Sequence, residues 1–152
     1  FINSKQDMLN NVNYRIFIDA IRAVHPQYII QKYIQVKEDA VTIAGKSIKS
    51  NSSTKLIVIA CGKASAAMVL ATEHILGNLI TDGVCITKYS HALPLKKIEI
   101  IEAAHPYPDE NSIKAGGIVS DKVSSLSEND FVLLLLSGGA SSLMADAPDG
   151  CT

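Results

Sequence analysis

Chemistry in this chain is concentrated in two short turns of small residues, Cys61-Gly62-Lys63-Ala64-Ser65 and Ser137-Gly138-Gly139-Ala140-Ser141-Ser142, each following an apolar run. A buried strand that ends in glycines and hydroxyl residues lets backbone N–H groups approach an oxyanion, and a following helix N-terminus adds its positive end. A phosphorylated ligand or a carboxylate is the natural guest. Lys63 would enter the first turn of a helix, where its charge opposes the dipole at a cost of about 0.3–1 kcal/mol, and an anionic partner would offset that cost. The plainer readings are a solvated surface lysine at position 63 and glycines that only permit tight packing at 138 and 139.

Two familiar phosphate motifs are absent. A G-x-x-x-x-G-K-[ST] loop ending at Lys63 would need glycine at Ile57 and a hydroxyl at Ala64, and no G-x-G-x-x-G is present. His105, before Pro106, is open to three roles: a base, a group that neutralises phosphate, or a loop histidine with a structural hydrogen bond. His25 and His74 read as helix-end and helix-surface residues, and His91 lies in a loop. Asp109 and Glu110 could hold Mg²⁺, but a helix cap explains Asp109 more simply. The residues by themselves identify no metal ligands and no general base.

The elements that must position these residues alternate. Leu9, Val12, Ile16, Ala20 and Ala23 recur at helical spacing between Met8 and Val24, with Ser4 and Asp7 resembling a capping box and His25-Pro26 as a stop. A second helix is expected from Tyr28 to Gln35. Ala40–Ile43 and Ser47-Ile48 flank Ala44-Gly45-Lys46 as a small hairpin, and Ser50–Ser53 is a polar loop. Lys55–Cys61 is continuously apolar, as expected of a strand covered on both faces. A helix from Ala64 carries Ala67, Met68, Ala71 and Ile75 to a stop at Gly77.

Strands are expected at Gly83–Thr87 and Ile98–Ala103, then a helix from Glu110 to Leu126 capped by Asp109, with Ile113, Val119, Val123 and Leu126 on its inner face. Phe131–Leu136 is the most apolar strand. This order predicts an α/β fold with a doubly wound, mostly parallel sheet flanked by helices, Rossmann-like, as an incomplete domain. Both glycine turns then fall at the carboxyl ends of strands, where such sheets bind ligands.

Composition narrows the partners. The 152 residues are 47% hydrophobic and 19% charged, with 14 Lys+Arg against 15 Asp+Glu, so a core is affordable and no basic field for nucleic acid exists. Cys61, Cys85 and Cys151 lack metal-ligand spacing and fit reduced thiols. No apolar run approaches the ~18 residues of a membrane span. A cytoplasmic protein without membrane or nucleic-acid partners is expected. An unfinished sheet would leave an edge through which a homo-oligomer could form.

Taken in order, several strings resemble the N-terminal part of the class II glycerate kinases, the family whose C-terminal part is called MOFRL. They are Gly62-Lys63-Ala64 with Met68, Gly83-Val84 with Thr87, His91 with Pro94, and Glu102-Ala103 followed by His105-Pro106. Pro108-Asp109-Glu110 with Ser112, and Ser137-Gly138-Gly139, complete the set. The similarity runs from about Arg15 to the chain end. It implies ATP-dependent, Mg²⁺-requiring phosphorylation of D-glycerate to 2-phosphoglycerate in a cleft between two domains. It further implies a catalytic Lys63 and a phosphate- or substrate-binding set of Gly62, His105, Ser137, Gly138, Gly139, Ser141 and Ser142.

Family members usually carry a third glycine where Ala140 stands. Residues 1–152 would be the N-terminal part of the family's N-terminal α/β domain, without the MOFRL domain and inactive alone. Two other classes fit less well: an NAD(P)H-dependent hydroxypyruvate reductase, disfavoured by the missing G-x-G-x-x-G, and a non-catalytic binder of organic acids or sugar phosphates.

Overall fold

The computed structural model describes residues 11–37, 40–49 and 54–146. The expected Ser4/Asp7 cap, the Ser50–Ser53 loop and Cys151 lie outside the described residues. Helix α1 (Val12–Ala23) is capped by Asn11, whose side chain accepts from the Tyr14 amide at 3.2 Å, and α2 (Pro26–Tyr33) follows directly, with proline at its first position. Amphipathic spacing in α1 led us to expect a buried face. No residue of α1 is buried among the described residues, and Ile16 is 63% exposed.

Helix α2 stops two residues short of the expected Gln35. Ile34 opens a strand instead, β1 (Ile34–Lys37), which pairs antiparallel with β2 (Ala40–Ile43). β-Branched Ile34 and Val36 favour the ladder over continued helix once a partner is in reach. The expected hairpin is present as β2 and β3 (Lys46–Lys49), turning at Ala44 and Gly45, both with positive φ, as a tight two-residue turn requires. The result is a three-stranded antiparallel sheet in order β1-β2-β3.

The main body consists of β4 (Leu56–Cys61), α3 (Ser65–Leu76), β5 (Asp82–Lys88), β6 (Glu99–Ala103), α4 (Glu110–Ser124), β7 (Phe131–Leu136) and a single turn, α5 (Ala140–Leu143). Its four strands are all parallel, in order β6-β5-β4-β7. One face is covered by α3 and the small sheet: Val58, Ala60, Cys85, Ile98 and Leu135 meet Val69, Leu76, Ile30, Ile34 and Val41. The other is covered by α4 and α5, where Ile57, Ile59, Val84, Ile86 and Ile101 meet Ala115, Ile118, Val119 and Leu143. Helices on both faces make the sheet doubly wound, as expected. Each fully buried aliphatic side chain contributes roughly 1.5–3 kcal/mol.

The inner face of α4 follows expectation only in part, since Val119 and Leu126 pack against the core but the other two expected residues do not. Ile113 is 57% and Val123 45% exposed, while Ser112, Ala115 and Gly116 face inward. The cause is the chain after α5: the Ala145 amide donates to the Ser112 carbonyl at 3.1 Å, and the Ala145 carbonyl occupies the place a Cβ on Gly116 would take. Only small residues let that segment approach.

Strand order fixes where the site must be. From β4 the chain crosses by α3 to β5 on one side, whereas β7 lies on the other side of β4 and is reached from β6 by α4. The gap between the carboxyl ends of β4 and β7 is therefore the topological switch point, the place where open α/β sheets form a ligand crevice. Both glycine turns open there.

Candidate functional site

The first turn is held rigidly. The Gly62 amide donates to the Ile86 carbonyl at 3.1 Å, Lys63 to the Gly138 carbonyl at 3.0 Å, Ala64 to Ser137 Oγ at 3.0 Å and Ser65 to the Gly62 carbonyl at 3.1 Å. These four N–H groups are occupied within the protein, so this turn does not offer the amide cradle expected from the sequence. Its contribution is the side chain of Lys63, which is exposed. Gly62 is required sterically: its φ is +128°, and a Cβ there would lie 2.5 Å from the Ser137 carbonyl oxygen.

The second turn carries the donors instead. Ser137 donates its amide to the Cys61 carbonyl, which ties the ends of β7 and β4, but among the described residues the amides of Gly138, Gly139, Ala140 and Ser141 have no acceptor. Gly139, at φ +95°, takes the left-handed conformation from which anion-binding nests are built. The serines divide. Ser137 Oγ caps the amide of Ala64, Ser142 Oγ donates to the Gly139 carbonyl at 3.1 Å, and Ser141 stays exposed.

Lys63 and His105 converge on this nest. A Cβ added to Gly139 would lie 2.7 Å from His105 Cδ2, 3.0 Å from its Nε2 and 3.5 Å from Lys63 Cγ, and one added to Gly138 would meet Lys63 Cε at 4.0 Å. The structure therefore brings Lys63, His105, Gly138 and Gly139 into direct proximity. Gly62, Ser137 and Ser142 support the turns from within, and Ser141 stands beside them at the start of α5. A lysine, an imidazole and free amides in one crevice can neutralise an oxyanion.

Acidic residues are arranged otherwise. Asp109 caps α4 in a reciprocal capping box with Ser112, as expected, and Tyr89 Oη donates to its Oδ2 at 2.7 Å. The Tyr89 hydroxyl first, then the Ser112 and Ala104 amides, hold the Asp109 carboxyl down to about 2 against the effect of burial. Glu102 Oε1 is buried with no hydrogen-bond partner among the described residues. Among the described residues no three His, Cys, Asp or Glu side chains come together as a metal site. Cys61 and Cys85 are free and buried, and burial pushes both thiols up to about 11, which leaves them protonated and unreactive at neutral pH.

Sequence reasoning missed the groups behind the first turn. Ser65 Oγ lies 2.7 Å from both the Gly62 and Ile86 carbonyl oxygens, and Thr87 Oγ1 reaches Gly62 O at 3.4 Å, so the Gly62 carbonyl is fixed by hydroxyls from α3 and β5. A signal was available: Thr87 interrupts the apolar run of β5 at a position that is fully buried. Tyr89 gave no signal, since its partner Asp109 is twenty residues away.

Known proteins with this pattern carry two kinds of name, glycerate kinase and hydroxypyruvate reductase. Residues 13–152 match the family model described as Domain of unknown function (DUF4147). A Pyrococcus horikoshii protein named glycerate 2-kinase is 36% identical over 93% of this chain and 31% of its own length. The solved structure of a Thermotoga maritima glycerate kinase superposes with a TM-score of 0.72 at 35% identity, covering 91% of this chain and 30% of that one. An Agrobacterium vitis protein named, provisionally, as a hydroxypyruvate reductase is 42% identical over 64% of this chain and 26% of its own length. The chain thus spans about a third of the length of the curated relatives it matches. With the family model covering nearly all of it, and with the switch-point turns in place, the chain belongs to the class II glycerate kinase family through its N-terminal DUF4147 domain.

Proposed function

We propose that this segment forms one wall of the active site of an ATP-dependent kinase that phosphorylates D-glycerate on its 2-hydroxyl. The observation that carries the reading is the convergence of Lys63 and His105 on the free amides of Gly138 and Gly139 at the sheet's switch point. In the reaction the substrate hydroxyl oxygen bonds to the γ-phosphorus, the bond from that phosphorus to the bridging oxygen of ADP breaks, and the hydroxyl proton passes to solvent. Charge spreads over the transferring oxygens, and catalysis is mainly positioning and electrostatic stabilisation.

Lys63 neutralises the transferring phosphoryl group, the nest at 138–141 holds phosphate or the glycerate carboxylate, and His105 closes the anion site from the β6 side. Mg²⁺ would enter with ATP, whose phosphates supply much of its usual ligand set, and would neutralise charge there. The remaining wall of the cleft belongs to the two thirds of the relatives' length that this chain does not span. Two buried free thiols are in keeping with a reducing, cytoplasmic setting.

The test is direct. A polypeptide of the relatives' full length carrying this segment is incubated with D-glycerate and Mg-ATP, and the product is identified by phosphorus NMR, with NADH and hydroxypyruvate assayed in parallel. A 2-phosphoglycerate signal is expected; NADH oxidation without phosphoglycerate would establish the reductase reading that the Agrobacterium relative's name carries. Lys63→Ala should lower kcat/KM by about 10²–10³ with the fold retained, because one charged donor to the developing anion is removed.

A further inference from the structure

The loop that carries His105 is gripped at both ends by one residue, and that residue is outside the anion site. We infer that Tyr89 is a positioning residue for the reaction, acting through His105; the inference rests on the anion-site reading above. Tyr89 follows directly on β5. Its amide donates to the Ala103 carbonyl at 3.2 Å, where β6 ends and the His105 loop begins, and its hydroxyl donates to Asp109 Oδ2 at 2.7 Å, where the loop ends and α4 starts.

Asn111 doubles the closure. Its Nδ2 lies 2.9 Å from the Tyr89 hydroxyl and 3.0 Å from the Glu102 carbonyl, so the loop's two ends are also joined through a second side chain. The Tyr89 hydroxyl accepts from Asn111 while donating to Asp109, a complete use of its one donor and one acceptor direction. Asp109 in turn is fixed by the capping box of α4. Residues 104–108 are therefore suspended between two anchored ends, and His105 stands on them with its ring against the turn at Gly139.

That ring lies close against the turn. The place of a Gly139 Cβ is within 3.0 Å of two imidazole atoms, so a small outward movement of the loop withdraws the imidazole from the nest. Misplacement of a catalytic-site group by about 1 Å from a change elsewhere can cost on the order of 10²-fold in rate. The Tyr89 hydroxyl touches neither Lys63 nor the nest in any hydrogen bond among the described residues, which separates its role from that of a binding group.

The experiment is a double-mutant cycle in the full-length polypeptide, with D-glycerate and Mg-ATP as substrates and kcat and KM measured separately. Tyr89→Phe, which removes only the hydroxyl, is expected to lower kcat/KM by about tenfold. In a His105→Ala background the same substitution should change kcat/KM by less than about twofold, because the group it positions is gone. Full multiplicative loss in that background would overturn the inference and mark Tyr89 as acting independently.

Wild-type kinetics for Tyr89→Phe, alongside a large loss for His105→Ala, would overturn it while leaving the anion site intact. Unchanged activity for His105→Ala would overturn both the inference and the role of His105. Asn111→Ala supplies the second variant: it weakens the same closure by removing the bonds to the Tyr89 hydroxyl and the Glu102 carbonyl while leaving the Tyr89 side chain itself unchanged, and a loss of the same sign that also vanishes with His105→Ala is expected.

Discussion

β4 and β7 are both six-residue apolar strands that end in a glycine turn, yet all six residues of β4 are buried and only Leu135 of β7 is. Both strands lie in one parallel ladder, Leu56 opposite Phe131 through Cys61 opposite Leu136. The difference is one of neighbours. β4 has a strand on each side and a helix layer on each face, while β7 is an edge strand whose Val132, Leu134 and Leu136 lie on the same face as Ile57, Ile59 and Cys61 but stay exposed at the sheet's edge, beyond the cover that α4 and α5 give β4. Apolar composition states that a strand needs cover; it does not say whether the cover lies within the same stretch of chain.

The turns differ in the opposite sense. The β4 turn has its amides occupied and offers a lysine side chain, and the β7 turn keeps its amides free and offers no cation. Each supplies what the other lacks. The rigid strand anchors the turn that must hold a charged side chain in place, and the more open one carries the backbone donors that a ligand must reach.

The sharpest way to break this comparison is at its joint. Gly62→Ala forces a Cβ into the Ser137 backbone at a positive φ, and should destabilise the protein by about 3 kcal/mol or more by separating the ends of β4 and β7. Gly138→Ala meets nothing closer than 4.0 Å, so its stability should be nearly unchanged while ligand affinity falls. Denaturant unfolding of both variants, with an ATP titration of the second, decides the matter; equal loss of stability would show the two turns to be equivalent.

A smaller contrast is expected along the strands. Ile59→Ala on β4, where the side chain is 2% exposed, should cost about 3 kcal/mol, whereas Leu134→Ala on β7, 53% exposed, should cost less than about 1 kcal/mol. Chemical denaturation compares them. An equal cost in a full-length polypeptide would show that the outer face of β7 is covered there by segments beyond this one.

The covered side of the sheet also has a pH signature. Residues 89–98 join β5 to β6 without a helix, and Glu73 of α3 holds the end of that segment by accepting from the Lys96, Lys97 and Ile98 amides at 2.9, 2.9 and 3.1 Å. Burial raises the Glu73 pKa, but these three amides and the Lys96 charge outweigh it and hold the carboxyl below its ordinary 4.5. A depressed folded-state pKa contributes stability above the unfolded value that is lost as pH falls through the folded one. Unfolding midpoints measured from pH 6 down to pH 3 should thus fall more in the wild type than in Glu73→Gln.

The smallest effect is chemical. Cys61 and Cys85, with thiols near 11, should resist iodoacetamide at pH 7 until the protein is unfolded, as read by peptide mass spectrometry. Rapid labelling of Cys61 would mean that the centre of the sheet opens readily.

Legibility from the sequence followed the range of the forces involved. The β4–turn–α3 unit, the β2–β3 hairpin and the Asp109 cap were readable, since each is decided by residues close in sequence: a continuous apolar run, positive-φ turn residues, a side chain reaching a backbone amide three positions on. β1 was missed because Ile34 and Val36 are extended only through pairing with β2. Ile113 and Val123 of α4 were expected inside because apolar periodicity marks a face; the approach of Ala145 selected Ser112 and Gly116 in their place.

The candidate site divides in the same way. Its residue types and the turns that carry them were legible, for glycine and small hydroxyl residues after buried strands have few other uses. Their division of labour was not. That Ser137 caps Ala64, that Lys63 leaves its amide to Gly138, and that His105 closes on Gly139 follow from bonds spanning tens of residues.

By itself the sequence determined the alternation of strand and helix, the positions of the glycine turns and the family to which the chain is similar, because local propensity and hydrophobic pattern act over a few residues at a time. Only the tertiary structure decided that β7 flanks β4 at a switch point, that the second turn keeps the free amides, and that Tyr89 grips both ends of the His105 loop. Those outcomes depend on which elements become neighbours in space, and that is settled by packing two faces of one sheet.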